Sequence, residues 1–277
     1  MNRIAKPAPF VLVATGHGSM IANVHDYRPA TATDPGIAGV GGQLFRQSLF
    51  DPVEIDLALY LLSLRKEFFG PGVVALDCGA NIGVHAIEWA RHMTGWGRVT
   101  AIEAQERIFY ALAGNIALNN CFNASALHAA IGGGLGQIEL PVLDYAAPAS
   151  FGSFELRHSD HNEPIGQPVD YRGPGRQAVG LLSIDHLQSP RLDFIKMDIE
   201  GMELEALGGA VETLKRCKPA LMLEHIKAKP GALQAFVEGF GYHCITLRSL
   251  IVALHQDDPG LPRVREALRG LEWPDRP

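Results

Sequence analysis

Two hydrophobic periods alternate along most of the chain and predict strands that alternate with helices. Short apolar runs such as "VVALD" from Val73 and "DFIKMD" from Asp193 have the length and composition of buried strands. Longer segments such as "VHAIEWARHM" and "ELEALGGAVETLKR" repeat apolar residues at helical spacing. This alternation favours an α/β fold with a doubly wound, mostly parallel, Rossmann-like sheet.

Both ends of the chain and one internal stretch lack this regularity. We predict a Gly-rich N-terminal extension over residues 1–50, made of loops with one strand at 10–14. The main domain spans 51–257 and begins with a helix whose N-cap is Asp51. Residues 143–180 form a Gly- and Pro-rich insertion, typical of a lid or binding loop, and 258–277 form a C-terminal tail with a frayed end at "EWPDRP".

Composition narrows the class of protein. Hydrophobic residues make up 47% and charged residues 19%, which predicts a globular chain with a buried core. The net charge is -6 and there is no basic block, so we expect no nucleic-acid partner. The apolar run "FVLVA" is shorter than a signal-peptide core, and no stretch is long enough for a membrane helix. Four scattered cysteines predict a reducing compartment, the cytoplasm; they are Cys78, Cys121, Cys217 and Cys244.

The first predicted strand ends in the turn "LDCGANIG", which has the place and composition of a ligand site. In a doubly wound sheet, ligands bind at the carboxyl ends of the strands, beside free N–H groups of the next helix. Gly79 and Gly83 allow close approach, and Asn81 can bond a ligand or the backbone. The pattern differs from the Gly-x-Gly-x-x-Gly of dinucleotide enzymes, and Asp77 would repel a phosphate.

A ligand with an ammonium and a sulfonium, such as S-adenosylmethionine, suits this aspartate better than a dinucleotide does. Glu103 ends the second strand, where an acid accepts hydrogen bonds from ribose hydroxyls. Ribose is common to both cofactors, so Glu103 alone does not discriminate between them. The alternative is that Asp77 and Glu103 only cap helices.

Three carboxylates follow later strands and are candidates for catalysis: Asp198, Glu200 and Glu224. A carboxylate beside an acceptor hydroxyl can take the proton that leaves during methyl transfer. The same three could instead bind a divalent metal, and we assign no metal residue. Glu200 could also serve only the helix dipole, and Glu203 is interpreted as part of a solvated helix face.

Other polar residues have less specific interpretations. Lys196 lies in a buried strand and needs an acidic partner, for which Asp77 and Glu224 are candidates. His17 either reaches the acceptor pocket or belongs to an ordinary turn. A second patch in the insertion is either an acceptor or metal site or simply exposed; its members are His158, Asp160 and His161. We interpret three further histidines as packing residues: His85, His128 and His243.

Three motifs, "LDCGANIGVHAIEWA", "VTAIEAQERIFYALAGNIALNN" and "LDFIKMDIEGMELEALGGA", resemble the FkbM-type methyltransferases over residues 51–247. The resemblance implies a class I, S-adenosylmethionine-dependent fold and O-methylation of sugars, polyketides or other small hydroxylated molecules. It implies that the methionine part of the cofactor contacts Asp77, Gly79, Asn81 and Gly83, and that Glu103 holds the ribose. "EAQ" stands where many relatives have Glu-Pro.

We therefore predict a cytoplasmic S-adenosylmethionine-dependent methyltransferase that acts on a small-molecule acceptor. Neither nucleic acid nor membrane is expected as a partner, and a homo-oligomer is compatible with the sequence. Two alternatives stay open: a nicotinamide-dependent oxidoreductase on the same fold, which NAD binding would reveal, and a non-catalytic module that binds a ligand without turnover.

Overall fold

The computed structural model describes residues 8–31 and 35–269. In them the strands are β1 (Phe10–Thr15), β2 (Gly18–Asn23), β3 (Tyr27–Arg28), β4 (Ile37–Ala38), β5 (Val73–Cys78), β6 (Gly97–Glu103), β7 (Ala124–His128), β8 (Ala130–Ile131), β9 (Gly136–Pro141), β10 (Arg176–Leu182), β11 (Phe194–Met197), β12 (Ala220–Glu224), β13 (Tyr242–Thr246) and β14 (Leu250–His255). The helices are α1 (Val40–Gln47), α2 (Pro52–Phe69), α3 (Val84–His92), α4 (Glu106–Leu118), α5 (Glu203–Gly208), α6 (Val211–Cys217), α7 (Ala232–Glu238) and α8 (Leu261–Leu268).

A seven-stranded sheet with the order β13-β14-β12-β11-β5-β6-β7 forms the centre of the protein. Its strands from β12 to β7 are parallel, whereas β14 runs antiparallel to both of its neighbours. The chain builds outward from β5 in one direction to β7 and then crosses back to β11. This mostly parallel, doubly wound sheet confirms the fold predicted from the sequence.

Successive side chains of each central strand enter two different cores, because strand side chains alternate between faces. In β5, Val73 and Ala75 join a core with α2, α3 and α4, while Val74 and Leu76 join a core with α5 and α7. Burial on both faces explains why β5 and β12 appear in the sequence as continuous apolar runs. It also leaves the polar residues at the strand ends pointing toward one edge of the sheet.

The N-terminal segment is more ordered than the predicted loops with one strand. The strand at 10–14 is present as β1, but it pairs with β2 in a hairpin, and α1 follows a short ribbon of β3 and β4. The buried Asn115 of α4 holds the hairpin, because its side chain donates to and accepts from the main chain of Ile21. Two glycines in the eight-residue α1 weaken its helical signal, which is why the sequence pattern missed it.

One further prediction was wrong in detail, and the C-terminal tail contains a helix that was not predicted. The tail at 258–277 contains α8, which buries Leu261, Val264 and Leu268; the end predicted to fray, 272–277, lies outside the described residues. The helix predicted over "ELEALGGAVETLKR" is split into α5 and α6 at Gly209, where any side chain would overlap the carbonyl of Gly132. The predicted division of the chain at residues 50 and 257 stays a prediction.

The predicted insertion, 143–180, overlaps a strand at its C-terminal end. Residues 176–180 belong to β10, which joins β8 and β9 in a separate three-stranded sheet. The remainder folds over the carboxyl ends of the central strands. Among the described residues, no helix has the length and apolar character needed to cross a bilayer.

Candidate active site

A cavity of about 500 Å³ lies at the carboxyl edge of the central sheet. It opens where β5 meets β11, the position at which the strand order reverses and at which doubly wound folds bind their ligands. Its volume is within the range of small-molecule sites. It is lined by the N-terminal segment, the turn after β5, the insertion, and the segments that follow β6, β7, β11 and β12.

Asp77 lies on the floor of this cavity with only 1% of its surface exposed. Neither of its carboxylate oxygens has a hydrogen-bond donor among the described residues. Burial raises the pKa of Asp77 to about 6, although Lys196 on the neighbouring strand lowers it. A buried carboxylate without donors is costly, so Asp77 is a candidate partner for a ligand that supplies them.

The turn after Asp77 is shaped by close backbone approach. Gly79 has a φ of 79°, and a Cβ there would overlap the main-chain oxygen of Asp198. Asn81 also has a positive φ, of 50°, and lines the cavity. Gly83 is different, because it caps α3 against Leu112 and does not line the cavity. The structure therefore brings Asp77, Gly79 and Asn81 together and places Gly83 behind them.

Glu103 ends β6 on the same side of the cavity and is 6% exposed. Its Oε2 accepts a hydrogen bond from the main-chain N–H of Asn81 at 3.0 Å, and its Oε1 accepts one from Gln105 at 2.8 Å. Burial raises the pKa of Glu103 to about 7, and these two bonds oppose the shift. Glu103 thus ties β6 to the glycine turn and keeps lone pairs for a ligand.

The three predicted catalytic carboxylates also converge. Oxygens of Asp198, Glu200 and Glu224 lie within 4.8 Å of one another on the cavity wall. Glu200 has a φ of 55°, a strained conformation that functional turns often contain. Burial and the neighbouring Asp198 raise the pKa of Glu200 to about 8, while Lys227 lowers it through an ion pair of 2.6 Å.

The buried Lys196 pairs with Asp198, at 3.1 Å, rather than with Glu224. Burial alone would lower the pKa of Lys196, but Asp198 and Asp77 raise it, so the side chain stays charged. Glu203, interpreted as part of a solvated face, is 2% exposed and accepts hydrogen bonds from the main-chain N–H groups of Ile199 and Gly201. It therefore fixes the turn that presents Glu200.

Most of the other predicted polar residues lie away from the cavity. His17 bridges β1–β2 to α3 through a 2.8 Å bond to Glu88, which supports the turn interpretation. The proposed patch of His158, Asp160 and His161 is exposed and does not line the cavity. His128 stacks on Phe109, whereas His243 is exposed, so its interpretation as a packing residue was wrong.

Several residues of the site were not predicted from the sequence. His85 packs against Trp89 as predicted, yet it also lines the cavity and lies near Asp51 and Glu54, close enough for the three to share a cation. Lys227 follows β12 by three residues and was not singled out. The available signal was its position: it lies shortly after an apolar strand, at the edge of the sheet already predicted to bind a ligand.

The sheet order, its antiparallel β14 and the glycine turn beside an acid at the end of β6 define a class I methyltransferase fold. The family model described as the methyltransferase FkbM domain matches residues 77–244. This is more than half of the chain, and the protein belongs to the FkbM methyltransferase family, as the motifs predicted.

Solved structures with a similar arrangement include an FkbM methyltransferase from Methylobacillus flagellatus KT, with a TM-score of 0.46 and 18% identity over 66% of this chain. The chain spans 44% of that protein's length. An O-methyltransferase from Bacillus cereus, solved in complex with SAH, has a TM-score of 0.43 and 14% identity over 75% of this chain and 83% of its own. No curated protein matches the chain in sequence at a significant level.

Proposed function

We propose that this protein is an S-adenosylmethionine-dependent O-methyltransferase acting on a small hydroxylated acceptor, such as a sugar or a secondary metabolite. Family membership supports methyl transfer. The observation that carries the proposal is Asp77, a buried carboxylate at the cavity floor whose oxygens find no hydrogen-bond donor in the described part of the chain. The ammonium of the cofactor's methionine part would supply those donors.

The residues around Asp77 fit the rest of that cofactor. When bound, S-adenosylmethionine supplies an electrophilic methyl group on a sulfonium. The backbone at Gly79 and Asn81 leaves room for a ligand that approaches the main chain, and Glu103 has lone pairs directed at the same cavity. We propose that Asp77 and Asn81 orient the methionine part, that Gly79 keeps the turn open, and that Glu103 accepts hydrogen bonds from the ribose.

Asp198, Glu200 and Glu224 form the acceptor half of the proposed site. A methyl acceptor loses a proton as its oxygen attacks, and a nearby carboxylate can take it. We propose Glu200 for this role because it lines the cavity, is held by a strained turn, and has a pKa of about 8, near the pH at which a general base works well. Asp198 and Glu224 would orient the acceptor hydroxyls.

Apolar groups line the same half, which suits an acceptor with both hydroxyls and a carbon face. Phe154 and Leu156 come from the insertion and Ile226 comes from the loop after β12. We propose no metal for this reaction, because Lys196 and Lys227 already neutralise Asp198 and Glu200. A carboxylate in an ion pair binds a second cation less strongly.

Calorimetric titration of S-adenosylmethionine and S-adenosylhomocysteine into the wild type and Asp77→Asn tests the cofactor site. We expect micromolar binding by the wild type and a loss of about 10- to 100-fold in the variant, the value of a charge-assisted hydrogen bond. The control is Glu212→Gln, an exposed site on α6, which should bind like the wild type. Failure of the folded wild type to bind either compound, or saturable binding of NAD instead, would refute the proposal.

A further inference from the structure

Lys227 connects parts of the cavity that are distant in the chain. Its ammonium lies 2.6 Å from Glu200 in the turn after β11, and 3.6 and 3.9 Å from Glu155 and Glu163 in the insertion. It also donates a hydrogen bond to the main-chain oxygen of Ser153 at 3.0 Å. One side chain therefore joins the insertion to the strand end that carries the proposed base.

Among the described residues, Lys227 is the only cation within 4.0 Å of Glu155, Glu163 or Glu200. The Lys227 side chain is 10% exposed, and those of Glu155 and Glu200 are 14% and 16% exposed. Ion pairs with so little solvent are screened weakly, and loss of the shared ammonium would leave crowded carboxylates. Glu155 and Glu200 thus depend on this one ammonium, whereas the more distant Glu163 is 55% exposed and depends on it less.

Glu155 also bonds to two other residues of the insertion. Its carboxylate accepts a hydrogen bond from the main-chain N–H of Glu163 at 2.9 Å, and its carbonyl accepts one from the Tyr171 hydroxyl at 2.7 Å. These bonds hold together the loop that contributes Phe154 and Leu156 to the cavity. Anchoring Glu155 therefore anchors a wall of the acceptor half.

The loop that carries Lys227 is itself attached to the central sheet. The main-chain N–H of His225 donates to the oxygen of Ser249 at 3.1 Å, beside the start of β14. Burial alone would lower the pKa of Lys227, but Glu200 and its other acidic partners raise it, so the ammonium stays protonated at neutral pH. It is suited to holding groups in place and not to removing a proton from an acceptor.

We propose that Lys227 is the positioning residue of the acceptor half, holding the Glu200 carboxylate at the cavity and fastening the insertion as its opposite wall. That this half of the cavity binds a methyl acceptor rests on the proposed function. The fastening of the insertion does not, so the two are separable by experiment.

The test compares the wild type with Lys227→Met, which keeps most of the length of the side chain and removes its charge. The control is Lys215→Met, which breaks a single exposed pair with Glu212 at 3.0 Å, at a residue that does not line the cavity. Hydrogen–deuterium exchange is measured for peptides that cover residues 149–171. We expect exchange at least tenfold faster in Lys227→Met than in the wild type and Lys215→Met, and S-adenosylhomocysteine affinity within twofold of the wild type in both.

An acceptor found by screening adds a functional readout. Lys227→Met should raise KM for the acceptor and move the rising, acidic limb of the kcat–pH profile to higher pH, and Lys227→Arg should restore both in part. A purely structural role would change stability without moving that limb. Unchanged exchange across 149–171 in Lys227→Met would overturn the proposal. If exchange is faster in Lys227→Met but the wild type binds no S-adenosylhomocysteine, the anchor is retained and only the proposed function is refuted.

Should Lys227→Met fail to fold, Glu155→Gln and Glu163→Gln remove the pairs one at a time. Glu155 is closer to Lys227, less exposed, and bonded to the insertion's main chain, so its variant should exchange faster than that of Glu163. Equal and wild-type exchange in both variants would contradict the anchor.

Discussion

The proposed cofactor half of the cavity, formed by Asp77, Gly79, Asn81 and Glu103, and the proposed acceptor half are held together by different forces. In the cofactor half, the N–H groups of Gly79 and Ala80 both donate to the oxygen of Ile102, and Glu103 accepts from Asn81. All of these contacts lie within one β-α-β unit. In the acceptor half, ion pairs join the insertion, the turn after β11 and the loop after β12. Local backbone geometry thus builds one half, and long-range charge pairing builds the other.

This difference predicts which kind of substitution disrupts each half. Where two backbone segments are in contact there is no space for added atoms. Substitutions that add atoms there should therefore abolish cofactor binding. Ion pairs tolerate changes in shape but depend on charge, so neutral isosteres should loosen the acceptor half and leave the fold intact. Each prediction below tests one side of this contrast.

Gly79→Ala should have the largest effect. A methyl group would meet the main-chain oxygen of Asp198, and the backbone has a φ of 79°. We expect a loss of more than about 4 kcal/mol in the free energy of unfolding, since strain and overlap add, together with loss of S-adenosylhomocysteine binding. Urea denaturation measures the first and calorimetry the second.

Gly95→Ala is the matched control for this substitution. Gly95 has the same φ of 79°, but a Cβ there would meet nothing within 4 Å. It should cost only the left-handed strain, about 1–2 kcal/mol, and leave binding unchanged. Equal losses in the two variants would show that the approach of Asp198 to Gly79 is unimportant.

Glu200→Gln tests the acceptor half and should affect turnover, not folding. Removal of a general base lowers kcat by about 10²- to 10⁴-fold. Because the carboxylate must be ionised to accept a proton, wild-type kcat/KM should rise with pH and level off above about pH 8, in line with the raised pKa of Glu200. The variant should lose this limb and bind S-adenosylhomocysteine normally. A wild-type profile that is flat from pH 6 to 9 would remove Glu200 from the mechanism.

The same contrast explains how much of the site was predictable. Asp77, Gly79, Asn81 and Glu103 lie at the ends of two adjacent strands, so hydrophobic periodicity placed them together at the correct edge of the sheet. Gly83 belongs to the same motif, yet motif spacing cannot show that it faces Leu112 rather than the cavity.

Contacts between distant segments were not predictable in the same way. Lys227 and Glu155 are joined only because the insertion folds over β11 and β12, and neither residue belongs to a periodic pattern. The N-terminal hairpin has strand-like sequences on both sides of "TGHG", but its attachment depends on isolated polar side chains such as Asn115 of α4, Asn119 at the end of that helix and Glu88 of α3. Local patterns predict elements and their edges, whereas the partners of isolated polar side chains depend on the completed fold.

Asn115→Ala tests whether the cofactor half is independent of the N-terminal segment. It should have the smallest effect of these substitutions. The fully buried amide of Asn115 bonds both main-chain groups of Ile21 and donates to the oxygen of Ile82 at 2.8 Å, in the glycine turn. Its loss leaves buried groups unpaired, so we expect a decrease of about 1–3 kcal/mol in the free energy of unfolding. Asn119→Ala, which removes a more exposed amide bonded to Ser19, should cost about 0.5–1 kcal/mol. If the turn is held within its own β-α-β unit, S-adenosylhomocysteine affinity stays within threefold in both variants, and a tenfold loss in Asn115→Ala alone would show that the hairpin supports the cofactor half as well.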